Sequence, residues 1–148
     1  MSGDPSMAIT RDEVCAFVRR HKYGVVSTIH EDGSPQSAVV GIAATPLVEI
    51  VFDTLATSRK FVNIAHDKRV SAVIGWDEER TLQIEGVADM PEYDELERLK
   101  AAYYEAWPDG RARAAWPGIA YLRIRPVWLR FSDYNLNPPR AEELKFVL

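Results

Sequence analysis

Two spacings of apolar residues alternate along this chain and divide it into elements. Between Arg11 and His21, the residues Val14, Phe17 and Val18 recur at three- and four-residue steps, which places them on one face of a helix. Thr10-Arg11-Asp12-Glu13 ahead of them has the order of a capping box. From Tyr23 to His30 the spacing shortens to the alternation of a strand rich in β-branched residues. Asp32-Gly33 then predicts a hairpin turn, with Pro35 to Ala43 as the returning strand. Ala44-Thr45-Pro46 interrupts the pattern, and Leu47 to Asp53 reads as a third strand. A short helix is expected from Ser58 to His66 and a fourth strand from Arg69 to Trp76. Thr81 to Met90 alternates as a fifth strand, with Thr81, Gln83 and Glu85 on its outward or ligand-facing side. Pro91 ends it. Glu92 to Trp107 is the longest helical stretch, with Leu96, Leu99, Ala102, Tyr103 and Ala106 on one face. A helical turn is expected over Arg111 to Trp116. Ile119 to Arg125 and Val127 to Asp133 read as two strands separated by Pro126. The tail from Asn135 contains Pro138 and Pro139 and is expected to be irregular, with at most a helical turn from Ala141.

Short strands joined mostly by turns, with helices inserted between them, predict a mainly β fold of the α+β class. The expected architecture is an antiparallel barrel of six to seven strands, closed or nearly closed, with peripheral helices. Closure removes the unpaired edges that would otherwise invite aggregation. No repeat, low-complexity tract or linker divides the chain. One domain over residues 1–148 is expected, with 1–9 a loose polar lead-in and 135–148 a tail.

Composition narrows the function classes. The net charge of −4 argues against a general nucleic-acid binder, which needs a basic surface. No apolar run approaches the ~18 residues of a membrane span, and the first residues lack the basic-then-apolar layout of a secretion signal. The single cysteine, Cys15, excludes an internal disulfide, suits a reducing cytoplasm and reads as a small buried hydrophobe. His21, His30 and His66 lack metal-ligand spacing, so no metal site is expected. Neither Gly-x-Gly-x-x-Gly nor a Walker loop is present. Arginine outnumbers lysine, and Arg123, Arg125 and Arg130 fall in expected strands, as a solvent-facing row or as forks for an anion or a partner subunit.

The stretch Thr57-Ser58-Arg59-Lys60 carries the clearest chemistry. Thr57 or Ser58 is a good N-cap for the short helix. Arg59 and Lys60 then fall in its first turn, where a cation opposes the helix dipole at a cost of about 0.3–1 kcal/mol. A solvated helix end is one reading. The other is an anion site, in which free N–H groups, a hydroxyl and two cations converge on a phosphate-sized target.

Four features taken together resemble the pyridoxamine 5′-phosphate oxidase-like flavoproteins, the FMN-binding split β-barrel family. They are the hairpin Gly24–Thr28 through Asp32-Gly33-Ser34-Pro35; the third strand leading into Thr57-Ser58-Arg59-Lys60; Asn63-Ile64 followed by Lys68-Arg69-Val70-Ser71; and Leu82-Gln83-Ile84-Glu85-Gly86-Val87-Ala88. The resemblance covers about Tyr23 to Met90. It implies a split barrel that binds FMN as a homodimer, with the cofactor at the interface. Ser58, Arg59 and Lys60 would hold the phosphate. Backbone groups of Val39, Val40, Gly41 and Ile42 would pass under the flavin ring, and Gln83 would contact it. Trp116, Trp128 and Arg130 would reach the partner's flavin. The implied activity is an FMN-dependent oxidoreductase acting on a small molecule or taking electrons from a donor. Authentic pyridoxamine phosphate oxidases carry basic residues on the second hairpin strand and an arginine-rich C-terminal signature. Here Ser37 to Ala43 holds no Arg or Lys, and the corresponding end reads Arg130-Phe131-Ser132-Asp133-Tyr134, so the resemblance does not extend to their substrate. The alternatives are a non-catalytic flavin carrier or sensor, a split barrel for a deazaflavin or haem, and a dimerisation barrel without ligand.

Overall fold

The computed structural model describes residues 8–147. In chain order the elements are α1 (Arg11–His21), β1 (Tyr23–Ile29), β2 (Pro35–Gly41), β3 (Ala43–Ala44), β4 (Ile50–Leu55), α2 (Arg59–His66), β5 (Arg69–Ile74), β6 (Arg80–Asp89), α3 (Tyr93–Ala106), α4 (Gly110–Arg113), β7 (Ile119–Asp133) and β8 (Arg140–Lys145). Every strand pair is antiparallel, in the order β2-β1-β5-β6-β7-β4-β3, with β8 added beside β7. The sheet curls until β2 comes near β4. It divides along β7, whose first half pairs with β4 and whose second half pairs with β8. This is the expected α+β split barrel.

The capping residues act as their types predict. Thr10 accepts the Glu13 amide at 3.1 Å and starts α1, which ends on Lys22 in the left-handed region. The reciprocal half of the box is replaced by a tertiary contact, because the Glu13 carboxylate accepts from Arg140 at 3.4 Å. The lead-in expected over 1–9 falls largely on residues 1–7, outside the described residues. Ile9 is not loose, since it is buried in the core beside α1.

Three expectations are corrected. Pro126 does not split a strand, and β7 runs through it for 15 residues. The register of β6 against β7 shifts between Glu85 and Gly86, a bulge that absorbs Val127 and removes the need for a proline N–H. Gly86 is required there, since a Cβ would sit 2.6 Å from the Arg125 carbonyl oxygen. The tail is not irregular either. Arg140–Lys145 is a strand although Ala, Glu, Leu and Lys favour helix, because pairing to β7 and seating Leu144 and Phe146 against the core override propensity. The third strand begins at Ile50 rather than Leu47. Thr45–Glu49 forms a tight turn, with Val48 at φ 61° and its amide on the Thr45 carbonyl, so that Ala43-Ala44 folds back on Val51 and Ile50.

The core has two parts. Inside the curl, Ile42, Ile50, Phe52, Ile74, Leu82 and Leu129 pack with Val14 and Val18 of α1. On the other side of β4 and β7, Val51 and Tyr121 pack under Leu99, Tyr103 and Tyr104 of α3. Cys15 lies in the first part, where its thiol donates to the Thr45 carbonyl at 2.8 Å and burial raises its pKa.

Arg123 is neither a solvent-facing arginine nor a ligand fork. Its side chain is 3% exposed and donates to Asp89 at 2.6 and 2.8 Å, to Glu49 at 3.0 Å and to Glu95 at 3.1 Å. Glu49 also accepts both nitrogens of Arg98, at 2.7 and 3.0 Å, and the Thr45 hydroxyl. Burial alone would raise the Glu49 carboxyl. Hydrogen bonds from Arg98, Thr45 and Arg123 outweigh it and hold the group at about 2, against an ordinary value of 4.5.

A carboxyl held below its unfolded value stabilises the fold above that value and loses the contribution as pH falls through the folded one. Stability should therefore drop as pH goes from 4.5 to about 2, with Glu49 accounting for up to about 3 kcal/mol. Urea denaturation across that range should show this loss in the wild type and a much flatter profile in Glu49→Gln. That variant should start about 3 kcal/mol less stable at neutral pH, because Arg98 and Arg123 lose a charged partner. Parallel profiles for the two proteins would remove Glu49 as the cause.

Candidate functional site

Strand β4 ends at Leu55, and a tight turn delivers the chain into α2. The Ala56 amide donates to the Gly118 carbonyl at 2.7 Å, and the Ser58 amide donates to Leu55 at 2.9 Å. Ser58, not Thr57, is the N-cap; Thr57 is exposed beside it. The Ser58 hydroxyl accepts from the Phe61 amide at 3.3 Å and from the Thr54 hydroxyl at 2.9 Å. A hydroxyl has two acceptor positions and one proton, so the Ser58 proton remains available to a further acceptor. The amides of Arg59 and Lys60 open the helix and have no intrahelical partner. No acidic residue lies in that first turn.

Other arginines have partners within the fold: Arg113 meets Asp53 at 2.9 Å, Arg69 meets Asp67 at 2.7 Å, and Arg19 donates to the Ala44 carbonyl at 3.2 Å. Among the described residues, Arg59 and Lys60 form no such pair. Burial lowers the pKa of Lys60, and the nearby Asp53 carboxylate only partly offsets it. Asp53 is itself engaged by the Tyr103 hydroxyl at 3.0 Å and by Arg113, which fix α3 and α4 against β4.

Arg59 and Lys60 border a cavity of about 160 Å³, whose other walls are Val26 and Thr28 of β1 and Gln36, Ser37 and Ala38 of β2. At ~30 Å³ per water this is room for about five waters, which suits a phosphate group and leaves any attached ring outside. Asn63, 2% exposed, ties α2 to these walls. Its amide nitrogen donates to Thr28 Oγ1 at 2.9 Å and Gln36 Oε1 at 2.8 Å, and its oxygen lies 3.2 Å from His30 Nδ1. Thr28 and Gln36 are site residues that the sequence reading did not name. The one sequence signal for the group was Asn63 itself, a polar residue on the inward side of a short helix beside Ile64.

The remaining candidates lie in separate places. Gln83 is exposed on the outer sheet face, in a cross-strand row with Val39, Val25, Val73 and Arg130. The cavity is walled by β1 as well as β2, so two strand steps of ~4.8 Å put Gln83 about 10 Å from the nearer wall, on the opposite face of the sheet. Trp128 is half-buried on the same face opposite Glu85, and Arg130 is 3.6 Å from Glu143. Within one chain, therefore, Gln83, Trp128 and Arg130 meet each other but not Arg59 and Lys60. Val39 is 64% exposed, whereas the Val40 and Ile42 side chains are buried. Gly41 lies under Trp107, which a Cβ would approach to 2.7 Å, and Trp107 Nε1 donates to the Ile42 carbonyl at 3.0 Å. Trp116 is exposed on the loop that ends at Gly118, beside the turn that leads to Ser58.

A family profile described as pyridoxamine 5′-phosphate oxidase matches residues 10–133. A pyridoxine/pyridoxamine 5′-phosphate oxidase of Cupriavidus pinatubonensis is 27% identical over 152 aligned residues, covering 95% of this chain and 69% of the relative. Among solved structures, the fold is similar to a heme binding protein from Mycobacterium smegmatis, with a TM-score of 0.77 and 20% identity over 93% of this chain. The chain spans 58% of that protein's length. It is also similar to a pyridoxamine 5′-phosphate oxidase-related, FMN binding protein from Nostoc punctiforme, with a TM-score of 0.69 and 13% identity over 96% of this chain and 100% of the other. At such identities the two structures share the fold. No helix among the described residues is long and apolar enough to cross a membrane.

Ser58→Ala should lower unfolding stability by about 1 kcal/mol through loss of the cap, and Ser58→Gly by only a few tenths. Urea melts of the three proteins measure this. An Ala variant as stable as wild type would mean that the Ser58–Phe61 bond contributes nothing.

Proposed function

Because the chain belongs to the pyridoxamine 5′-phosphate oxidase family, we propose that it binds FMN at the Ser58–Lys60 turn and is an FMN-dependent oxidoreductase acting on a small molecule. The observation that carries this reading is the pair of cations without acidic partners, on a capped helix start, at a cavity of phosphate size. Bound FMN supplies the hydride or electron chemistry. The protein's own part is to hold and orient. Arg59 and Lys60 neutralise the phosphate; the Ser58 hydroxyl and the first amides of α2 donate to it. Occupation by an anion also relieves the burial of the Lys60 ammonium.

The ring is assigned to a homodimer interface. Val39 is exposed on the outer sheet face, in one row with Gln83 and Arg130, and Trp128 lies two residues from Arg130 on that face, which suits contact with a second copy and with a planar ring. The separation of Gln83 from the phosphate cavity supports the same arrangement, since one chain can offer its cations and another its sheet face. Strand β2 carries no Lys or Arg beside the ring position, which favours a substrate without a phosphate of its own.

Replacing Arg59 and Lys60 together by Ala should raise the FMN dissociation constant by two decades or more, at about 1.5–3 kcal/mol for each charge-assisted contact. Flavin fluorescence titration reads it directly. An unchanged constant would reject the phosphate assignment. The absorption spectrum of the reconstituted protein separates flavin from haem, and NADPH or NADH oxidation by the holo-protein separates an oxidoreductase from a carrier.

A further inference from the structure

The Asn63 network does more than join a helix to a hairpin. Both hydrogens of the Asn63 amide are used, one on Thr28 Oγ1 and one on Gln36 Oε1. Each acceptor thereby has its remaining capacity defined. Thr28 accepts from Asn63, so its own hydroxyl proton is free. Gln36 has spent its oxygen on Asn63, so its amide nitrogen, with two hydrogens, is free. Both residues line the cavity beside Arg59 and Lys60. With the amide nitrogen committed to the cavity walls, the Asn63 oxygen faces His30 Nδ1 at 3.2 Å and can only accept. His30 must therefore carry its proton on Nδ1. A chain of hydrogen bonds then runs from His30 through Asn63 to Thr28 and Gln36, and these last two line the cavity.

We propose that Asn63 is a positioning residue that sets the hydrogen-bond polarity of this cavity, with His30 holding Asn63 in the orientation that turns Thr28 and Gln36 into donors. Resting on the reading of the cavity as a phosphate site, this names what the site selects. The side chains of Thr28, Gln36, Ser58, Arg59 and Lys60 all offer hydrogens. With Thr28 and Gln36 each spending an acceptor on Asn63, hydrogens outnumber free acceptors at this wall, which favours an ionised phosphate over a protonated one. The opposite orientation of Asn63 would offer its oxygen to Thr28 and Gln36, turn the Gln36 oxygen toward the anion and repel it. The polarity of one buried amide thus separates an anion site from a site that rejects anions.

Two measurements test this. Nitrogen-15 NMR of the neutral His30 ring in ligand-free protein should show it protonated on Nδ1. A proton on Nε2 alone overturns the proposed polarity and leaves the phosphate reading untouched. Second, FMN and riboflavin affinities should be compared for wild type, Gln36→Met and Asn63→Asp. Riboflavin has the ring without the phosphate, so a positioning effect weakens FMN alone. Gln36→Met keeps the side-chain length and removes the donor; its FMN affinity should fall about tenfold with riboflavin binding unchanged. Asn63→Asp can only accept, and should lose FMN more severely, again sparing riboflavin. Equal weakening of both ligands would reduce Asn63 and Gln36 to structural roles. A wild-type protein that binds FMN no better than riboflavin would remove the phosphate site and this inference with it.

Discussion

The register of β6 against β7 holds the architecture together. Ten residues of β6 pair with β7, and a bulge at Glu85/Gly86 lets β7 continue through Pro126. The first half of β7 is then free to take β4 on its other side and the second half to take β8. β6 occupies one edge of β7 from Arg123 to Asp133, and β4 and β8 share the other edge end to end, over Ile119–Ile124 and Trp128–Asp133. The bend that the bulge introduces separates the two claims on the other edge and produces the split. It also carries β4, and the turn at its end, round to the β1–β2 hairpin, where the cavity forms.

Charge follows a matching logic. Where a cation is buried for the sake of the fold, the structure saturates it: Arg123 has three carboxylate partners, and Arg113 has Asp53, Asp109 and the Tyr103 hydroxyl. A buried charge without such partners costs several kcal/mol. At the start of α2 the same chain places two cations at the wrong end of a helix dipole and gives neither an acid. Lys60 is half-buried and Arg59 exposed, and the contrast with the saturated interior arginines is what makes this turn the candidate anion site.

Much of this was readable beforehand because it rests on local rules. Thr10 and Ser58 cap, Asp32-Gly33 turns, and the alternation in Thr81–Asp89 specifies a half-buried strand; each outcome depends on a few neighbours. The candidate phosphate turn was legible for the same reason, as a contradiction between a cap and the charges after it. The parts that escaped were decided across the fold. Pro126 reads as a break until its own strand is known to bulge at Val127. Arg140–Lys145 reads as irregular, with at most a helical turn from Ala141, until β7 offers an edge. Thr28 and Gln36 look like ordinary strand residues, and only the arrival of Asn63 from α2, 35 and 27 residues away, gives them a role. Arg123 gave no sign in the sequence of being an interior ion.

The cavity is drawn entirely from Val26 to Asn63, whereas the contact between Glu13 and Arg140 spans 127 residues. Closing a short loop costs less chain entropy than closing a long one, and local contacts form sooner. The hairpin and helix that line the candidate site therefore need shorter loop closures than the terminal strand does, although β4 between them is paired to β7. Sequence drift in β8 can adjust how firmly the barrel is finished, or what meets its outer face, without redrawing the pocket. The lining of the candidate site and the outer strand β8 are in this sense separable for evolution, since no residue that lines the cavity lies in β8.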